Sequence, residues 1–202
     1  GYDAVLPIFK AQETHQAGAT EDRGGSGPLA ATYCLDPHPG HRAFLVACAM
    51  SGYRSDARYD FNGPRPQGVA GFYQKTLVDE REQTPLAAFL TSLRTSPRLT
   101  LVPVSRVLRV VMDGTRAIGV EVARDGRREM IAGGEVIVAA NAIRAAQLLM
   151  LSGIGPADHL RSHGIEVVHD LPGVGQNLHD HYGTDIIYEL NGPWSFDKYK
   201  SW

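Results

Sequence analysis

The stretch Val136-Ile137-Val138-Ala139-Ala140-Asn141-Ala142-Ile143-Arg144-Ala145-Ala146-Gln147-Leu148-Leu149-Met150-Leu151-Ser152-Gly153-Ile154-Gly155 decides the fold class. An apolar, β-branched run ends in the small residues Ala139 and Ala140, then passes through Asn141 into helical spacing at Ile143, Leu148 and Leu151. A strand, a tight turn and a helix are predicted. In nucleotide-binding sheets such a turn lies at the carboxyl edge of the strand. There small side chains admit a ligand to the backbone, and the helix start offers unpaired N–H groups. An ordinary buried β-α unit has the same spacing, and α/β proteins contain several, so the pattern alone leaves both readings open.

The segments before this stretch alternate. Leu99 to Met112, Ala117 to Arg124 and Arg127 to Ile131 are strand-like and are separated by Asp113-Gly114 and Asp125-Gly126, a β-meander with tight turns. A strand opening at Glu135 follows. Meander, strand, turn and helix in that order are found where a small crossover sheet is inserted into a Rossmann-type domain. Beyond Gly155, Pro156 to Ser162 is predicted as a short helix closed by Gly164, and Glu166 to Asp170 as a short strand. Leu171 to Leu178 is a glycine-punctuated turn, and Thr184 to Leu190 alternates as a further strand.

The N-terminal half is more irregular. Residues 1–15 look helical, with Val5, Leu6 and Phe9 on one face and Pro7 near the start. Residues 16–42 turn to Gly, Pro, Asp and His. Gly24-Gly25-Ser26-Gly27-Pro28 reads as a flexible linker, since it lacks the Gly-Lys-Ser/Thr ending of a phosphate loop. Ala43 to Met50 is a compact apolar helix. Asp60 to Pro64 is a turn cluster whose Asn62-Gly63 suits left-handed angles. A second helix is predicted from Thr84 as N-cap, with Pro85 in its first turn, through Leu86, Phe89, Leu90 and Leu93, stopping before Pro97.

Composition sets outer bounds. The chain has 202 residues, 43% of them hydrophobic, with 20 basic and 22 acidic side chains and a net charge of -2, so it can bury a core. With no basic run it lacks the footprint for nucleic acid. Its longest apolar runs are far shorter than the roughly 20 residues of a membrane-spanning helix. Cys34 and Cys48 stand in no metal or disulfide spacing, which fits a reducing compartment, so a cytoplasmic location is expected. The chain opens on Gly1 and ends on Trp202 just past a strand-like run, and it reads as the middle of something longer.

Two stretches together carry a resemblance. Ala139-Ala140-Asn141-Ala142-Ile143 through Leu148-Leu149-Met150-Leu151-Ser152-Gly153-Ile154-Gly155 is one. Leu171-Pro172-Gly173-Val174-Gly175-Gln176-Asn177-Leu178-His179-Asp180-His181 is the other. In sequence and spacing they resemble the second signature region of the glucose-methanol-choline (GMC) flavin oxidoreductases. Weaker matches at Gly27-Pro28-Leu29, Asn62-Gly63, Tyr73-Gln74 and Gly119-Val120-Glu121 extend the likeness over most of the chain.

The resemblance implies a mixed α/β fold: part of a Rossmann-like FAD-binding domain with a β-meander, and part of a substrate domain with an antiparallel sheet and helices. On that template residues 1–98 belong to the substrate domain, 99–181 to the FAD domain, and 182–202 begin the return to the substrate sheet. It also implies FAD as cofactor, an alcohol as small-molecule substrate oxidised by hydride transfer, and the remaining segments of the same enzyme as partners. At the residue level it points to Val107, whose main-chain N–H and C=O would meet the adenine edge, a donor beside an acceptor. Ala140 and Asn141 would lie near the dinucleotide. The family usually has glycine where this chain has Asn141, and Ser/Thr-Pro where it has Ala145-Ala146. Asparagine tolerates positive φ and can cap the helix, so the turn is expected to survive.

No catalytic residue and no metal ligand is assigned. The Gly-x-Gly-x-x-Gly loop and the family's proton-accepting histidine have no counterpart among these residues. His179-Asp180-His181 lacks further ligands at metal spacing and is expected to close a turn. His159, His163 and His169 are expected to be solvated. No Gly-x-Ser-x-Gly elbow supports a hydrolase. Two alternatives stay open: a catalytically silent module built on half of the fold, and a non-redox family member such as a cyanohydrin lyase.

Overall fold

The computed structural model describes residues 1–63, 68–79 and 81–187. They form two compact units, one of Gly1–Leu99 with Ile186 and Ile187, the other of Thr100–Asp185.

The first unit opens with α1 (Tyr2–Gln12), which carries Pro7 inside it and buries no residue. A proline at that position withholds the N–H that would have served the Asp3 carbonyl, so one rung of the first turns is missing. The helix ends three residues earlier than the apolar spacing suggests, because Glu13–His15 becomes strand β1, parallel to β2 (Leu29–Ala31). The intervening glycine run is not a flexible linker. Gly24 C=O accepts from the His15 N–H at 2.9 Å, and Gly27 N–H donates to the Glu13 carbonyl at 2.9 Å. A Cβ on Gly24 would lie 2.0 Å from the Lys10 carbonyl oxygen, and one on Gly27 2.1 Å from the Gln12 carbonyl carbon. These glycines are there for close approach, a role their composition does not distinguish from flexibility.

Helix α2 spans Pro39–Met50 and starts four residues before the apolar run, since His38 Nδ1 caps it by accepting from the Gly40 N–H at 3.1 Å. Strands β3 (Arg54–Ser55) and β4 (Val69–Ala70) pair in parallel, and β5 (Leu77–Val78) and β6 (Arg81–Glu82) pair antiparallel. Asp60 makes the predicted turn by accepting from the Asn62 N–H at 2.9 Å, but neither Asn62 nor Gly63 is left-handed, and Pro64 lies outside the described residues. Thr84 caps the next segment as expected, its Oγ1 accepting from the Ala87 N–H at 3.2 Å. The turns that follow are wound wide at Leu86–Leu90 and tight at Thr91–Leu93 in place of a regular α-helix.

The second unit is built on the meander β7 (Arg106–Asp113), β8 (Arg116–Arg124) and β9 (Arg127–Ala132), in that spatial order. Asp125 and Gly126 both have positive φ, the turn that matches strand twist in a two-residue hairpin. The first strand begins at Arg106, and the predicted residues 99–105 make no ladder. Val110 and Val122 are buried in the sheet.

Val136 to Ala140, predicted as a strand, pairs with nothing among the described residues, and Ile137 is 83% exposed. Helix α3 follows (Ala142–Leu151), then β10 (Ile154–Gly155), α4 (Ala157–Ser162) and β11 (His169–Asp170), the two strands pairing in parallel. Only the last two residues of the predicted strand 166–170 join that ladder. Gly164 closes α4: its N–H donates to the Arg161 carbonyl and the Ile165 N–H to the Leu160 carbonyl, each at 3.0 Å, above the fully buried Leu160. Of the predicted strand 184–190, residues 184–187 form no regular element and 188–190 lie outside the described residues.

Candidate functional site

Two grooves flank α3 in the second unit. The first, about 480 Å³, lies between β7 and α3 and is lined by Arg106, Val107, Leu108, Ala140, Arg144 and the leucines of the last turns of α3. The structure therefore brings Val107 and Ala140 together, 33 positions apart in the chain. No acidic side chain lines this groove, so Arg106 and Arg144 leave it electropositive.

The main chain of Val107 faces the open edge of the sheet. Val110 pairs with Val120, and its N–H points away from β8 to the hydroxyl of Ser152 at 2.8 Å. Two residues along β8 the same outward class recurs at Val122. A bulge at Leu108 sets Val107 opposite Val122, so the Val107 N–H and C=O take the outward orientation. The residue is 42% exposed.

Asn141 does not line that groove; it shapes the turn beside it. Its backbone sits at φ 70 and ψ 157, and its Oδ1 accepts from the Ile143 N–H at 3.3 Å, so it has both the positive φ and the capping bond expected from its chemistry. Ala145 donates its N–H to the Asn141 carbonyl at 2.8 Å.

The second groove, about 610 Å³, runs between α3 and the glycine-punctuated turn, with Ile143, Met150, Gly175, Asn177 and His179 among its walls. The two stretches that carry the family resemblance thus face each other across it. Gly175 has φ +81, which favours glycine there, and the terminal methyl of Met150 lies 2.7 Å from where its Cβ would be, so the turn packs close against α3. Gln147 lines both grooves. Past the end of the turn Asp180 Oδ1 accepts from the adjacent His181 N–H at 2.7 Å, a contact between neighbouring residues that closes no turn, unlike the closure expected of that triplet. His159, His163 and His169 are exposed.

Sequence reading missed Ser152. It closes α3, is 6% exposed, and bonds both Leu148 and Val110. A single serine between an apolar helix and a glycine gives no periodic signal. Also missed was a polar cluster in the first unit, where Arg23 bridges Glu13 and Asp60 under a pocket of about 370 Å³. Burial pushes the Asp60 carboxyl up, and the hydrogen bonds from Arg23 and the Asn62 N–H outweigh it, holding that carboxyl below the usual carboxylate range. With both carboxylates engaged, Arg23 is a clamp within the fold.

Comparison with known proteins matches the GMC oxidoreductase family over residues 1–183. The chain belongs to the GMC oxidoreductase family. It is 41% identical over 181 residues to mitochondrial choline dehydrogenase of Mus musculus, covering 89% of this chain and 30% of that protein. To the oxygen-dependent choline dehydrogenase of Brucella ovis it is 39% identical over 193 residues, covering 95% and 34%. Among solved structures it superposes on pyridoxine 4-oxidase from Mesorbium loti with a TM-score of 0.72 and 28% identity, covering 85% of this chain and 34% of the other. An FAD-dependent oxidoreductase from Chaetomium thermophilum gives 0.75 and 28%, covering 89% and 33%. The GMC chain thus spans about a third of the length of these relatives. FAD is the cofactor of the family. The first groove fits one end of it: the volume suits a nucleoside-sized group, Ala140 presents only a methyl, and the β7 edge offers a donor beside an acceptor.

Proposed function

We propose that this GMC chain is the FAD-holding segment of an oxidoreductase that oxidises a primary or secondary alcohol. The observation that carries the reading is the convergence of Val107 and Ala140 on one groove, with the Val107 main chain turned outward. FAD, when bound, accepts the hydride from the carbinol carbon. The chain's own residues hold and orient. Val107 complements the adenine edge, Ala140 leaves room for the nucleotide, and Asn141 keeps the turn in its positive-φ shape. Arg106 and Arg144 favour an anionic ligand.

Residues 1–98 are proposed to serve the substrate domain, 99–181 the FAD domain, and 182–202 the return to the substrate sheet. The pyrophosphate loop and the base for the alcohol proton would come from the remaining segments of the same enzyme, the partner this chain requires. Ile137, exposed on a β-branched run without a ladder partner among the described residues, supports that, and counts against a silent module that folds to completion alone. The names of the relatives make a choline-like alcohol the first substrate to test. Cys34 and Cys48 are free thiols, in keeping with a reducing, cytoplasmic setting.

The test is to express the full-length polypeptide and add choline and a panel of other alcohols anaerobically, following flavin absorbance near about 450 nm. Bleaching by an alcohol is the expected result. Bound FAD that no alcohol bleaches favours the lyase alternative, and a full-length protein that binds no FAD overturns the reading.

A further inference from the structure

We infer that Ser152 is a positioning residue for the adenine-facing edge of β7, acting through the hydrogen bond it gives and the one it takes. The inference rests on the flavin site proposed above. The Ser152 Oγ accepts from the Val110 N–H at 2.8 Å and donates to the Leu148 carbonyl at 2.6 Å. It is 6% exposed and Val110 is 5% exposed, so neither bond is readily replaced by water.

Those two bonds join opposite walls of one groove. Leu148 lines it from α3, and Val107 and Leu108 line it from β7. Among the described residues no other hydrogen bond links this helix to this strand. Val110 lies three residues from Val107, about 10 Å along an extended chain. By engaging the outward N–H of Val110, the hydroxyl holds the strand at a set distance from the helix and leaves Val107 as the free donor-acceptor pair beyond the bulge. Ser152 is itself held by main-chain bonds from its N–H to Leu148 and Leu149 at 3.1 and 3.0 Å. Without the hydroxyl, the Val110 N–H loses its partner and only side-chain packing sets the width of the groove.

The experiment compares wild type with Ser152→Ala, Ser152→Cys and Ser152→Thr in the full-length polypeptide. Each apoprotein is titrated with FAD and with 1,N6-etheno-FAD, whose adenine edge is blocked while the rest of the molecule is unchanged. Wild type is expected to prefer FAD. The alanine and cysteine variants are expected to lose about tenfold of that preference, the scale of one well-placed hydrogen bond, with affinity for etheno-FAD unchanged. Threonine, which keeps the hydroxyl, retains the preference. Cysteine preserves size with only a weak hydrogen-bonding group, so it carries the measurement if alanine fails to fold. Equal weakening toward both dinucleotides, threonine behaving as alanine, or failure of both alanine and cysteine to fold would make Ser152 a purely structural residue and overturn the inference. A wild type that binds FAD and etheno-FAD equally removes the Val107 site itself, and one that binds neither removes the cofactor reading.

Discussion

Arg23 grips Asp60 across 37 residues of chain, its Nε donating to Asp60 Oδ2 at 2.7 Å while its Nη1 donates to Glu13 Oε1 at 2.9 Å. With side chains only 12% and 19% exposed, the Arg23–Asp60 pair joins the loop after β1 to the turn at residues 60–63. Replacing Asp60→Asn keeps the acceptor for the Asn62 N–H but leaves the guanidinium short of one charge. The expected loss is about 2–3 kcal/mol, read by chemical denaturation of the full-length protein. The pH dependence has a definite sign. Asp60 is depressed in the folded state, so the unfolded chain takes up its proton first, near about pH 3.9. Its contribution is full above that range and drains as pH falls through the lower, folded value. The Asn variant should lose this part of the acid limb and converge on wild type at low pH.

Asn141 is expected to become more stable as glycine. Its φ of 70 and ψ of 157 lie in a region that residues with a Cβ enter at a cost of about 1–3 kcal/mol. Its cap is worth only a few tenths relative to glycine. Asn141→Gly should therefore gain about 1 kcal/mol, whereas Asn141→Ala keeps the strain, loses the Ile143 cap and should fall by about as much. Paired thermal melts separate the two, and an Asn141→Gly variant that melts below wild type contradicts the strain.

Gly24 and Gly134 offer a matched contrast. A Cβ on Gly24 would meet the Lys10 carbonyl oxygen at 2.0 Å and the Glu13 carbonyl oxygen at 2.5 Å, all backbone that cannot move aside cheaply. Gly134 has nothing within 4 Å of its Cβ position and no positive φ. Gly24→Ala should cost about 3 kcal/mol or abolish soluble expression, while Gly134→Ala should stay within about 0.5 kcal/mol of wild type. Equal tolerance at both sites would restore the view of residues 24–28 as a linker.

Val107→Pro tests the main-chain reading of the cofactor site. Proline is accepted on an edge strand where its missing N–H would have faced outward, so the meander should persist with the far-UV circular dichroism of wild type. The outward donor is gone, and an adenine acceptor then loses its partner. FAD affinity should fall about tenfold or more, read as the flavin-to-protein absorbance ratio after gel filtration. Retention of a full complement of FAD would place the adenine elsewhere.

What the sequence reveals here follows from locality. The meander, the Asn141 and Thr84 caps and the glycine-closed α4 were legible because each is settled within a few residues, by alternation, a capping side chain or a left-handed glycine. Ser152, Arg23 and Asp60 were not, since each works through a partner 37 to 42 positions away and none belongs to a periodic pattern. The glycine run at 24–27 misled for a related reason: close approach and flexibility call for the same residue, and only the neighbour distinguishes them. Of the candidate site, Val107, Ala140 and Asn141 came from the family resemblance, and the bulge that turns Val107 outward had no signature of its own.

Ile137 provides the sharpest test of how this segment is completed. It is 83% exposed at the centre of an apolar, β-branched run, and its neighbours Val136 and Val138 are only half-buried. If other segments of the enzyme flank this run in a sheet, Ile137 is core in the full-length protein and surface only here. Ile137→Lys would then bury an unpaired ammonium and should cost about 3 kcal/mol or more, with loss of bound FAD, because the same run leads directly into Ala140 and Asn141. If Ile137 faces solvent in the full-length protein, the change is worth less than about 0.5 kcal/mol and FAD is retained. Denaturant midpoints and flavin content measured on one preparation decide between the two. A neutral result would revive the silent module, since it would mean that the strand before the turn needs no sheet around it.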